Sequence, residues 1–364
     1  MPVDDPAYHA ARPELAVAAP DALPLAGGLG LNPGMTGAKK LWDAGRLAVV
    51  RGVSYPRPDR SHFRSMAIWQ TASPESPVST GWIGRWLDAA GGDPLLAVAL
   101  DPVLPPALAG ATTAGVALAL NGASAGTRAS APTTGLRPPG GAVGMAFRGL
   151  GAAQDGEPEL QARAARAVRD TVRAAELLGP ATMAPADPDD GDAERTGGAS
   201  AGGRSALAGQ LDVVRRCIEL GAPSRVYSVS LGGFDLHANE RATQQRLLTE
   251  LDGAVAGFLD RVGRGPRGAD VVLAVYSELG RRVVANASDG TDHGTAGPVL
   301  VAGAPVQGGL YGEQPSLTDL DDGDLKPTTD FRDVYATLLA AVLGADPGRI
   351  LDGHPGRVEG LVSA

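Results

Sequence analysis

Five histidines stand in 364 residues, at positions 9, 62, 237, 293 and 354, so metal or imidazole acid/base chemistry has to choose among them. Two lie in loops dense with glycine and carboxylates, Gly232-Gly-Phe-Asp235-Leu-His237 and Gly290-Thr-Asp292-His293-Gly294. Asp235 and His237 offer one oxygen and one nitrogen ligand on a backbone that glycine allows to bend. His293 adds a third ligand, and Asp292 and Glu278 (in Ser277-Glu278-Leu-Gly-Arg281) add carboxylates. On ligand type alone a His/His/carboxylate set suits Zn²⁺, Mn²⁺ or Fe²⁺. The bland alternative makes Asp235 and Asp292 turn formers and the histidines ordinary polar loop residues. Against it, His62, His237 and His293 all fall at strand ends or helix starts. His9 and His354 lie in Pro- and Gly-flanked terminal segments and read as solvent-exposed.

A second cluster is Arg60-Ser61-His62-Phe63. Serine is a favoured helix N-cap, and the same position sets a hydroxyl beside free backbone N–H groups and the positive end of the helix dipole, where a phosphate or sulfate is at home. A metal alongside would lower the hydroxyl's pKa and make Ser61 a nucleophile, with His62 as its neighbour. Arg60, Arg64 and Arg281 are candidate anion clamps.

These residues need elements to hold them. Thr36 can cap a helix through Trp42, and Leu47–Val50 reads as a buried strand, with no strand before residue 46. Helices are expected over His62–Gln70 and Thr80–Ala90, and strands over Leu95–Leu100 and Val116–Leu120, followed by a Gly/Ser/Thr/Pro-rich passage to about residue 150. Pro158–Leu178 reads as an amphipathic helix with Leu160, Ala164, Val168, Val172 and Leu177 near one face. Residues 180–204, rich in Pro, Gly and Asp, read as a flexible acidic loop. After it come a helix (Ser205–Leu220), a strand (Val226–Leu231) and a helix with Leu247, Leu251, Val255, Phe258 and Val262 on one face. Strands at Asp270–Tyr276 and Pro298–Val301 and a helix over Thr329–Leu343 complete the pattern. Apolar strands alternating with amphipathic helices imply one α/β domain over 1–364, a mostly parallel sheet with helices on both faces. Sites in such folds form beyond strand ends, which is where the unusual residues stand.

Composition excludes several classes. The single Cys217 rules out a disulfide framework or a cysteine-cluster metal site. A net charge of −9 with no basic stripe argues against nucleic acid as a partner. No apolar run reaches the roughly 18 residues of a transmembrane span. Aromatics make up only 4% of the chain, so Ala, Val and Leu must build most of the core.

The segments LNPGMTGAKKLWDAGRLAVVRGVSYPRPDRSHFRSMAIWQT, GGFDLHANE, YSELGRRVVAN, GTDHGTAGPVLVAG and GGLYGEQPSLTDLDDGDLKPTTDFRDVYATLLAAVLG together resemble the domain of unknown function 1501 family. That family is similar to the alkaline phosphatase and sulfatase superfamily. The resemblance implies a three-layer sandwich, one or two divalent ions (zinc or manganese first), and a small-molecule phosphate or sulfate ester as substrate. It places Asp235, His237 and His293 on one metal. Glu278 or Asp292 stands where second-metal ligands occur, and Ser61 lies at the position of the nucleophile. Asp235-Leu-His237 is shorter than the superfamily's usual Asp-x-x-x-His, and Leu279 stands where a histidine would follow Glu278. Asp292-His293-Gly294 offers another alignment for that turn. The family's first strand, ending in a Gly-Gly-x-Asp-Gly-like turn, is missing. Because losing a central strand exposes sheet edges, the expectation is a reading frame that starts further upstream. Met1-Pro-Val-Asp-Asp is no signal peptide, so the sequence as it stands implies a cytoplasmic protein. The resemblance implies export by a twin-arginine leader if the frame begins earlier. The functional expectation is a metal-dependent hydrolase of phosphate or sulfate esters. The alternative is a degenerate member that binds a ligand or partner protein without turnover.

Overall fold

The structure, a computed structural model, describes residues 1–118, 141–152, 156–183 and 206–363. Along the chain, α1 (Pro6–Ala11), β1 (Leu23–Pro24), β2 (Gly30–Leu31), α2 (Thr36–Asp43), β3 (Leu47–Ser54), α3 (His62–Thr71) and α4 (Trp82–Ala89) come first. Then follow β4 (Ala97–Ala99), β5 (Val116–Ala117), α5 (Gly141–Gly149), α6 (Glu159–Met183), α7 (Ala206–Glu219) and β6 (Val226–Ser228). The last part holds α8 (Glu240–Gly263), β7 (Val272–Val275), β8 (Gly280–Arg281), β9 (His293–Gly294), β10 (Gly297–Gly303) and β11 (Gly309–Tyr311). It closes with β12 (Leu320–Asp321), β13 (Asp324–Leu325), β14 (Thr329–Asp330), α9 (Phe331–Ala341) and α10 (Pro347–Ile350). The result is mixed α/β with several sheets, one of them parallel, and no barrel among the described residues. No described helix is long and apolar enough to cross a membrane. The chain divides into two compact units, Met1–Trp82 with Leu231–Ala364, and Ile83–Ser230.

The first unit is built on a sheet of order β11-β3-β10-β7, with β14 also paired to β3. In β3 every side chain but Arg51 is buried, the mark of a central strand covered on both faces. The sheet is not mostly parallel as expected. β11 and β14 run parallel to β3, but β10 runs antiparallel to both β3 and β7. The apolar pattern marks β10 as a strand but is silent on its direction. The consequence is functional: the start of β10 lies with the ends of its neighbours, Gly297 opposite Val53 of β3 and Leu300 opposite Val275, the last residue of β7.

Six of the chain's few aromatics brace that edge. Trp69 of α3 stacks on Tyr276, just after β7, with ring centroids 4.9 Å apart and planes at 5°. Phe331 and Tyr335 of α9 pack on the same indole, Trp82 stacks on Tyr335 at 4.2 Å, and Tyr55 meets Phe331 edge-on. These contacts fix α3, and therefore His62, relative to the end of β7.

Helix α2 starts differently from expectation. Its N-cap is Met35, which makes no side-chain bond, and Thr36 is already helical. Asp252 of α8 does the capping across space, accepting from Gly37 N at 2.7 Å and Ala38 N at 2.6 Å. Ahead of residue 46, where no strand was expected, β1 and β2 form a short antiparallel pair.

In the second unit β5, β4 and β6 form an all-parallel sheet, and Ala97, Val98 and Ala99 are completely buried. The expected apolar face of α6 is wrong. Leu160 is 79% exposed and Leu177 42%, while Ala165, Ala174, Leu178 and Ala181 are buried. Small residues let this helix approach its neighbours closely, which a search for large apolar side chains overlooks. The loop expected to run to residue 150 gives way to α5 from Gly141. Of the acidic loop expected over 180–204, residues 180–183 close α6, and the rest lies outside the described residues, as do the last two residues of the strand expected to reach Leu120.

Candidate metal centre

Three stretches of chain meet at the sheet edge where β3 and β7 end and β10 begins. Ser61 opens α3 as its N-cap, its hydroxyl accepting from Arg64 N at 3.5 Å. The β8–β9 ladder pairs Arg281 with His293 and presents the latter to the edge. The 232–239 loop is tied in by Arg281, which donates to Phe234 O (2.8 Å), Asp235 Oδ1 (2.8 Å) and Thr291 O (2.9 Å). Asn286 donates to His237 O at 2.9 Å and Asp292 Oδ1 at 3.2 Å. Gly290 lies so close to this loop that a Cβ there would sit 2.3 Å from the carbonyl carbon of His237.

His62, His237 and His293 converge on one carboxylate. Asp235 Oδ1 is 2.9 Å from His237 Nε2 and 2.9 Å from His293 Nε2, and Asp235 Oδ2 is 3.3 Å from His62 Nε2. The Nε2 atoms of His237 and His293 are 3.1 Å apart. His62, Asp235 and His293 each offer a ligand atom within 4.8 Å of the others. Each imidazole is held by its far nitrogen. His62 Nδ1 meets Glu278 Oε1 at 2.7 Å, His237 Nδ1 meets Asp292 Oδ1 at 3.0 Å, and His293 Nδ1 meets Arg60 O at 2.8 Å.

The outer partners suit the tautomer a cation requires. A carboxylate or a carbonyl can only accept, so in the tautomer with the proton on Nδ1 each neutral imidazole donates outward and turns its Nε2 lone pair inward. Three lone pairs then face the Asp235 carboxylate, whose Oδ1 also accepts from Arg281. Protonating both His237 and His293 would set two N–H groups head to head at 3.1 Å. Three imidazole lone pairs and a carboxylate fit a cation, and outer carboxylates or carbonyls on the second nitrogen are the usual way metal-binding histidines are oriented.

In the other tautomer His293 Nε2 donates to Asp235 instead. Burial raises the Asp235 carboxyl, but hydrogen bonds from His293 and Arg281, with the charges of Arg281 and His237, outweigh it and hold the group well below the usual carboxylate range. Hydrogen bonds from His237 and Asn286 likewise lower Asp292. Both stay ionised and available at neutral pH.

The expected site residues thus divide. Asp235, His237, His293, Glu278, Asp292, Arg281 and His62 come together. Arg60 joins them by its carbonyl, while its guanidinium binds Asp322 (2.8 Å) and the buried Asp324 (2.6 Å). Arg64 contributes its backbone N–H to the Ser61 cap. Asn286 and Asp324 were missed, since an Asn in a loop and an Asp in the run Asp321-Asp322-Gly-Asp324 look like turn formers. His354 is not solvent-exposed as expected. Its side chain is 11% exposed and binds Asp333 at 2.6 Å. His9 is half-buried, 2.8 Å from Val3 O.

A family model described as protein of unknown function (DUF1501) matches residues 118–364, which takes in every residue of the cage except His62. No curated protein and no solved structure matches the chain.

Proposed function

The chain belongs to the DUF1501 family, and for it we propose a metal-dependent hydrolase of phosphate or sulfate esters, of the alkaline phosphatase and sulfatase type. The observation that carries this reading is the cage of three Nε2 atoms around the Asp235 carboxylate, with every Nδ1 tied back. Asp235, His237 and His293 would hold a divalent ion, whose chemistry is Lewis-acid stabilisation of charge developing on the ester oxygens.

The chain's own residues supply the rest. Ser61 stands at the N-terminus of α3, where unsatisfied backbone N–H groups and the helix dipole favour an anion. In the proposed reaction the Ser61 Oγ–P (or O–S) bond forms as the ester bond breaks. The hydroxyl proton ends on the departing alcohol, and water then returns serine and free phosphate or sulfate. Arg281 neutralises Asp235 and keeps the 232–239 loop in place.

The test is an aryl phosphate and an aryl sulfate assayed with the Zn²⁺- or Mn²⁺-loaded protein, with bound metal measured by mass spectrometry. His237→Ala should lose metal and turnover together, and Ser61→Ala should lose turnover while keeping metal. Unchanged metal in His237→Ala would overturn the site. A metal-binding, non-catalytic member is the second reading, favoured by Leu279 standing where a histidine would follow Glu278. Metal uptake without turnover of either ester selects it.

A further inference from the structure

We infer that this centre is built for a single divalent ion with His62 as its fourth protein ligand, and that Glu278 and Asp292 orient imidazoles instead of binding metal. The inference rests on the metal-binding part of the proposal above and is independent of ester hydrolysis.

His62 is where the geometry speaks most clearly. Its Nε2 is buried and makes no hydrogen bond. In the neutral ring with Nδ1 donating to Glu278, the Nε2 lone pair faces Asp235 Oδ2 at 3.3 Å, itself an acceptor, and has nothing to receive. Leaving such an atom buried and unsatisfied costs about 1–3 kcal/mol. The ring also stands edge-on to His293, with centroids 4.3 Å apart, and so belongs to the same cage. A role as a free acid or base near Ser61 fits less well, because a proton carrier needs its second nitrogen open to solvent or substrate.

The carboxylates expected to bind a second ion each already hold an imidazole. Glu278 Oε1 holds His62, and its Oε2 accepts from the Ser277 hydroxyl at 3.3 Å. Asp292 Oδ1 holds His237 and takes Asn286. Charge points the same way. Arg60 and Arg282 are matched by Asp322 and Asp324. That leaves Asp235, Glu278 and Asp292 against Arg281, a double negative charge that one divalent ion cancels. A second ion would have to draw these carboxylates from their imidazoles and would leave the centre with excess positive charge. Three imidazoles and one carboxylate favour Zn²⁺ over Mn²⁺, which prefers oxygen.

The test strips the full chain with a chelator and titrates it with Zn²⁺ alone, reading stoichiometry and affinity by calorimetry and metal content. One ion per chain is expected. Two ions per chain would overturn this inference and leave the hydrolase reading standing, whereas no uptake would overturn both. His62→Ala should weaken Zn²⁺ by more than the roughly 10- to 100-fold that loss of an outer partner causes. Glu278→Gln should stay within that range and keep the 1:1 ratio. Wild-type affinity in His62→Ala refutes the ligand role, as does a loss in Glu278→Gln as deep as that in Asp235→Asn. Should His62→Ala fail to fold, Co²⁺-loaded wild-type protein decides by NMR. Three paramagnetically shifted imidazole N–H signals that vanish in D₂O are expected, one from each Nδ1, and two would refute the assignment of His62.

Discussion

Replacing Asp252 with alanine tests whether α2 owes its start to a residue from another helix. A helix leaves its first four N–H groups without intrahelical partners, and in α2 the Met35 cap satisfies none of them with its side chain. Asp252, 7% exposed, accepts two of them, from Gly37 and Ala38. A lost N-cap costs about 0.5–2 kcal/mol, and a hydrogen bond to a charged acceptor contributes about 1.5–3 kcal/mol. Two charged bonds would set a ceiling of about 6 kcal/mol. Gly37 is only half-buried, so water re-enters and recovers part of its bond. The expected loss is about 3 kcal/mol, a fall in melting temperature of about 6–12 °C for a unit of this size. Asp252→Asn keeps one acceptor oxygen and should lose about half as much. Urea and thermal melts followed by circular dichroism read both variants. A loss under about 0.5 kcal/mol in Asp252→Ala, or equal losses in both, would refute the account. Zn²⁺ affinity of the folded variants should stay at wild type, because no ligand contacts Asp252.

Two further predictions concern other positions. Gly290→Ala would put a Cβ 2.3 Å from the His237 carbonyl carbon and 2.5 Å from Ala238 N. Backbone must therefore move, and a destabilisation of about 1–3 kcal/mol should come with weakened Zn²⁺ binding; an unchanged melt and titration would contradict this contact. Burial pushes the Cys217 thiol up to about 11. At pH 8 it then holds roughly two hundredfold less thiolate than a free cysteine, so iodoacetamide should spare it until the chain unfolds. Equal labelling rates in native and urea-unfolded protein would show that this thiol is not buried.

Much of this protein is legible in its sequence because local patterning reports burial and backbone preference. The apolar run Leu47–Val50 that opens β3, the apolar face of α8 and the serine that caps α3 are visible without coordinates. So are His237 and His293 as candidates, since glycine and aspartate around a rare histidine mark a loop able to converge side chains. Membership of the DUF1501 family follows from the motifs as well. What a neighbour in space contributes is not written locally. Asp252 looks like any helical carboxylate until α2 is set against α8, and His354 looks exposed until Asp333 is beside it. That Glu278 meets His62 and Asp292 meets His237 is likewise invisible in the sequence. Strand direction is the largest such case. An apolar strand has the same alternation read from either end, so the sequence around Pro298–Val301 is equally compatible with both directions. A parallel β10 would have carried His293, which precedes the strand, to the far edge of the sheet. Only its antiparallel pairing with β3 and β7 brings His293 to His62, Asp235 and Glu278, because pairing depends on which segments meet and not on either segment alone.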